Sequence, residues 1–119
     1  MLSAIAAGHV HSPRNVGPLD TATHVGRVGV PGDGPHMTLW FMLDGERITR
    51  AAYSTYGCPS AIACASMAAQ ILTGRTVSQA LLMTPQDLDV LLGGLPDGKG
   101  ECAEMAIQSI RNALGGNPS

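Results

Sequence analysis

Aromatic residues are nearly absent from this 119-residue chain: one Trp, two Tyr and one Phe make up 3% of it. A core built without them must be filled by small and aliphatic side chains, which bury less area apiece and let backbones approach closely. Basic residues are also few. Seven Lys and Arg against nine Asp and Glu leave a formal net charge of −2, which argues against a nucleic-acid surface, because phosphate binding needs clustered positive charge. No run reaches the ~18–20 apolar residues of a membrane span. Met1 to Gly8 is apolar but lacks a basic leading region and is too short for an ordinary signal peptide, so cytoplasmic residence is the expectation. There is no Cys-x-x-Cys pair, and three cysteines are an odd number. That points away from a disulfide framework and toward metal or thiol chemistry. The length suits one domain over residues 1–119 with a modest core.

The stretch Tyr56-Gly57-Cys58-Pro59-Ser60-Ala61-Ile62-Ala63-Cys64-Ala65-Ser66 reads as a strand end, a glycine turn, a cysteine and the start of a tightly packed helix. Pro59 suits the first helical position, where its missing N–H costs nothing and its fixed φ is already helical. Cys58 then stands at the helix N-terminus, where unpaired backbone N–H groups and the positive end of the dipole favour an anion. A cysteine so placed is biased toward thiolate, the form that binds metals and acts as a nucleophile.

Taken in order, residues 1–20 are expected to be a flexible N-terminal segment. Leu2 to Ala7 makes uncapped helical turns, and His9 to Pro18 is a loop rich in breakers. His9 and His11 are read as solvated loop histidines rather than a metal pair. Strands are expected over Thr21–Val30, with Val25 and Val28 facing inward, over Met37–Leu43, and over Glu46–Tyr56. Asp44-Gly45 is the hairpin turn between the last two, and Pro31 to His36 joins the first two. Helices follow. Ser60–Thr73 carries two small-residue stripes, so it is buried around most of its circumference and stops at Gly74. A short helix opened by Thr76 or Ser78 runs through Leu82. Thr84-Pro85-Gln86-Asp87 caps another, reaching Leu92. After a loop over residues 93–100, the last helix spans Glu101–Leu114 with Ala103, Ala106, Ile107, Ile110 and Leu114 on one face, and residues 115–119 are terminal coil. Strands first and helices after give an α+β fold: a three-stranded antiparallel sheet followed by helices packed on one face.

Cys102 repeats the setting of Cys58, at a second helix start after a glycine-rich loop. Two such thiolates, opposite a turn holding Asp33 and His36, would make a metal or cluster site, and thiolates select zinc, iron or iron–sulfur clusters. Cys64 lies six residues past Cys58, turned away from the helix start, and is read as a small buried hydrophobe. An enzymatic use of Cys58 as nucleophile would need a general base; His36 is the nearest candidate, and this reading ranks last.

Several segments together resemble the NifU/IscU-type iron–sulfur cluster assembly scaffolds along nearly the whole chain. They are Ser12 to Gly17, Gly57 to Ala63, Leu72 to Leu81, Leu95-Pro96 with Lys99, and Cys102 in the last helix. The resemblance implies the fold already read from the pattern. It also implies a non-enzymatic scaffold or carrier that receives iron, takes sulfur from a cysteine desulfurase, assembles a [2Fe–2S] cluster and passes it on. Leu95 to Lys99 resembles the family's binding segment for an Hsp70-type chaperone.

Of the family's three ligand cysteines, the second and third correspond to Cys58 and Cys102. The first corresponds to no cysteine. Aligned without a gap, Asp33 takes its place; aligned on Gly-Asp, Asp33 is the family's aspartate. Glu101 stands where the family has a histidine, and Cys64 where a serine is usual. Cys58, Cys102, Asp33 and Glu101 are therefore the candidate metal ligands. Carboxylate oxygens make this set harder than three thiolates and suit zinc or ferrous iron. The alternative is a zinc-binding or metal-free homologue that partners the sulfur-transfer machinery.

Overall fold

The computed structural model describes residues 4–11, 16–30, 34–95 and 100–115, with the side chains of residues 9–11 excepted. Its elements are α1 (Ala4–His11), β1 (His24–Val28), β2 (His36–Asp44), β3 (Arg47–Tyr56), α2 (Pro59–Leu72), α3 (Val77–Leu81), α4 (Pro85–Leu91) and α5 (Gly100–Leu114). The strands form one antiparallel sheet in the order β1-β2-β3. The α+β meander expected from the sequence is the fold of the chain.

Period-2 alternation places Met37, Leu39 and Phe41 on the face that meets α2 and α5, and all three are fully buried. Burial of each such side chain contributes about 1.5–3 kcal/mol. α2 is the central helix and touches β3, β2, α1, α4 and α5. Ten of its fourteen residues are buried, mostly Ala, Ser and Cys, as its small-residue stripes require. α5 packs its apolar side, Cys102 to Leu114, over β1 and β2. Tyr53 reaches into the same interior beside Ser66, where burial raises its phenol pKa and the Ser66 hydrogen bond partly offsets the rise.

Local chemistry explains the helix boundaries. Thr76 accepts the N–H of Gln79 and Thr84 that of Asp87, each in a reciprocal capping box. Of the two proposed caps for α3, the opener is therefore Thr76. Gly74 takes φ 92 just past α2, as a helix-ending glycine should.

Several expectations need correction. The N-terminal segment is tied down where it is described: α1 extends to His11 rather than ending at Ala7, Ala6 is fully buried, and Leu19 is 9% exposed. The Gly17 N–H also donates to the Tyr53 carbonyl at 2.6 Å. β1 is shorter than Thr21–Val30, and its inward residue is Gly26, while Val25 is 39% exposed. The cause is α5, which presses its backbone onto β1 at Gly26 and leaves no room for a side chain. The β2–β3 hairpin turns on Gly45-Glu46, one residue later than Asp44-Gly45, because Asp44 pairs with Arg47. Gly45 takes φ 65 there, and a bulge at Met42/Leu43 absorbs Thr49, whose hydroxyl donates to the Met42 carbonyl.

The outer edge of β3 is covered in part by the chain itself. Val16 bridges Tyr53 at one end. At the other, Ile48 donates to the Arg75 carbonyl and accepts from the Gly74 N–H, and Val77 donates to Glu46. No described helix is long and apolar enough to cross a membrane.

Candidate metal centre

β3 ends at Tyr56, Gly57 carries the chain off the sheet, and Cys58 caps α2 in an extended conformation (φ −79, ψ 168) with Pro59 at the first helical position. The helix closes onto the Cys58 carbonyl through the Ala61 N–H at 2.9 Å. The Cys58 sulfur makes no capping hydrogen bond, so capping falls to the backbone. Cys102 is the third residue of α5 and 6% exposed, whereas Cys58 is half-buried.

The contact between α2 and α5 brings the two side chains together: Cys58 Sγ and Cys102 Sγ lie 3.7 Å apart, across 44 residues of sequence. Two sulfurs bound to one tetrahedral metal, at metal–sulfur bonds of about 2.3 Å, are separated by about 3.8 Å. The pair is thus spaced as two ligands of a single ion. Cys58 caps one helix and Cys102 lies in the first turn of another, and the positive end of a helix dipole favours the thiolate that such bonding needs.

Cys64 lies inside α2 with no exposure. Burial pushes its thiol from 9.0 up to about 12, and the Cys102, Cys58 and Asp89 charges add to the rise. At neutral pH it is a protonated thiol, consistent with its reading as a small hydrophobe. The sequence pattern gives no signal for Asp89. In the fold its carboxylate accepts the Leu95 N–H at 2.7 Å and orders the start of the loop before α5.

Asp33 lies outside the described residues. Glu101 is exposed in the first turn of α5, and among the described residues no three His, Cys, Asp or Glu side chains gather as a metal-holding group. The structure therefore brings Cys58 and Cys102 together and does not add Glu101 to them. His36 opens β2 opposite Tyr56, with the two rings stacked at 6.1 Å and 15°. His24 Nδ1 pairs with the Thr23 hydroxyl. His9 and His11 belong to α1, not to a loop. A groove of about 410 Å³, its apolar wall of Ile71, Leu72, Leu82, Met83, Val90 and Leu91 rimmed by Arg75, Gln79 and Asp87, lies at the opposite end of α2 from Cys58.

A three-stranded meander with helices on one face, two of which start at converging thiols, defines a class of small α+β proteins that present cysteines at helix starts. The chain belongs to the NifU-like N-terminal domain family, whose model matches residues 3–117. It is 39% identical over 106 residues to iron–sulfur cluster assembly scaffold protein IscU 1 of Archaeoglobus fulgidus, covering 89% of this chain and 69% of that protein. It is 35% identical over 108 residues to the IscU scaffold protein of Aquifex aeolicus, with the same coverage. The nitrogen fixation protein NifU of Azotobacter chroococcum is 32% identical, and the match takes up 35% of that longer protein. Among solved structures, the chain shares the fold of a protein from Fervidobacterium islandicum described as an iron–sulfur cluster assembly scaffold for the SUF system. The TM-score is 0.72 at 18% identity, over 94% of this chain and 95% of that one. The N-terminal NifU-like protein of Brucella abortus gives a TM-score of 0.60 at 18% identity, over 92% and 76%.

Proposed function

We propose that this chain is an iron–sulfur cluster assembly scaffold or carrier, a non-enzymatic protein whose cargo is iron or a [2Fe–2S] cluster held by the Cys58 and Cys102 thiolates. The observation that carries this is the 3.7 Å separation of the two sulfurs at two helix starts, and the names of its relatives support it. The resemblance adds Asp33 to this ligand set. A cysteine desulfurase supplies the sulfur, and an Hsp70-type chaperone engages the Leu95 to Lys99 segment. Two thiolates with a carboxylate hold a [2Fe–2S] cluster less firmly than three thiolates would, because hard oxygen donors match a sulfur-bridged cluster poorly. Cargo held this way exchanges readily.

The same donor set favours a second reading, in which the site holds zinc or no metal and the chain acts as a partner of the sulfur-transfer machinery. The deciding experiment measures metal and acid-labile sulfide per chain on anaerobically purified protein, before and after iron–sulfide reconstitution. The scaffold reading expects iron and sulfide in near-equal amounts, lost in Cys58→Ala and kept in Cys64→Ala. Equal retention of iron by the two variants would overturn it, and zinc without sulfide, unchanged by reconstitution, would establish the second reading.

A further inference from the structure

We infer that Cys58 and Cys102 form a reversible intramolecular disulfide when the site is empty, and that this bond closes the site to metal. The sulfurs are 3.7 Å apart in the reduced chain, so an S–S bond of about 2.05 Å requires them to close by under 2 Å. Cys58 caps α2 and Cys102 lies in the first turn of α5, so the pair is held at the helix starts, and the attacking species in thiol–disulfide exchange is the thiolate.

Access sets the order of events. Cys58 is half-buried, Cys102 is 6% exposed and Cys64 has no exposure, so a soluble oxidant reaches Cys58 first. With a low-molecular-weight disulfide RSSR as oxidant, the Cys58 thiolate attacks one sulfur, forms a mixed disulfide and expels RS⁻. The Cys102 thiolate then attacks the Cys58 sulfur, forms the Cys58–Cys102 bond and expels the second RS⁻. The two protein thiols give up two electrons and two protons, and RSSR becomes two RSH. Cys64 takes no part because it is enclosed within α2.

The consequence for metal rests on the reading of the site given above. A disulfide sulfur carries no thiolate charge, so oxidation removes both sulfur ligands at once, and bound metal in turn withholds both thiolates from the oxidant. Loading and oxidation are mutually exclusive states of one pair of atoms.

The test treats the reduced, metal-free full chain with glutathione disulfide, traps remaining thiols with an alkylating agent under denaturing conditions, and maps peptides without reduction. The expected result is the loss of two of the three thiols, a peptide linking Cys58 to Cys102, alkylated Cys64, and reversal by dithiothreitol. Cys102→Ser should stop at the mixed disulfide on Cys58, and Cys58→Ser should leave Cys102 as a thiol. A stable glutathione adduct on Cys58 of the unaltered chain, a bond to Cys64, or a bond between two chains would overturn the inference. Cobalt(II) added to the oxidised chain should give no thiolate charge-transfer band, while the reduced chain gives one; a band of equal strength in both would overturn the exclusion. If the scaffold reading alone is wrong, the disulfide still forms and reconstitution yields no cluster.

Discussion

Gly26 of β1 and Ala113 of α5 meet backbone to backbone: a Cβ at position 26 would lie 2.6 Å from the Ala113 amide nitrogen and closer still to the Ser109 carbonyl oxygen. Asn112 fastens the same crossing by donating to the Arg27 carbonyl at 2.8 Å. The glycine is there because a helix backbone occupies the space.

Gly26→Ala therefore forces α5 away from the sheet. Overpacking against side chains costs about 1–3 kcal/mol, and here the obstacle is main chain, which yields less. We expect a loss of about 3 kcal/mol, at the upper end of that range, read as a lower urea midpoint at unchanged slope. Because α5 carries Cys102, the variant should also form the Cys58–Cys102 disulfide more slowly. A stability within experimental error of the unaltered chain would contradict the close approach.

Gly17 lies over the Trp40–Ala52 pair, and a Cβ there would come within 2.8 Å of two Trp40 ring carbons. Trp40 is the sole tryptophan, so its fluorescence reports this contact without a label. Gly17→Ala should shift the emission to the red as the ring is displaced toward water, with a stability loss of about 1–2 kcal/mol. An unchanged spectrum would place the N-terminal segment elsewhere.

Cys64 links stability to alkaline pH. Its folded pKa of about 12 exceeds the ordinary 9.0, so the native state keeps a proton that the unfolded chain releases. The stability this represents is whole below pH 9 and is lost as pH rises from 9 toward 12. Within that window the fall is at most about 1.4 kcal/mol per pH unit. Urea midpoints taken at about pH 8 and about pH 10 should separate in the unaltered chain and converge in Cys64→Ala. Equal slopes in both would assign the alkaline loss to other groups.

Residues that act through their own backbone chemistry were legible in the sequence. Pro59 after Cys58, Thr84-Pro85 with Asp87, and Gly74 each mark a boundary by local rules, and the helices begin or end beside them. The even spacing of Met37, Leu39 and Phe41 likewise fixes the buried face of β2. What local rules could not supply is tertiary. Val25 looks inward by hydrophobicity, yet the inward position belongs to Gly26, a choice made by a helix more than eighty residues later. α1 has no amphipathic pattern to announce it; it packs against α2. At the site, helix-start logic marks Cys58 and Cys102 separately, but only the packing of α2 on α5 sets their distance. The turn bearing Asp33 falls outside the described residues, so its part in the site rests on the resemblance.

The coverage of β3 sets how copies of this domain can associate. With its outer side met at Tyr53 by the Val16–Gly17 segment and near Ile48 by Gly74–Val77, β3 offers another sheet only short stretches of backbone rather than a full-length edge. Among the described residues β1 alone has an outer side without a backbone partner, and it is five residues long. A sheet with one side free along its whole length can join a second copy edge to edge there. Edge-to-edge pairing of copies is therefore directed to β1.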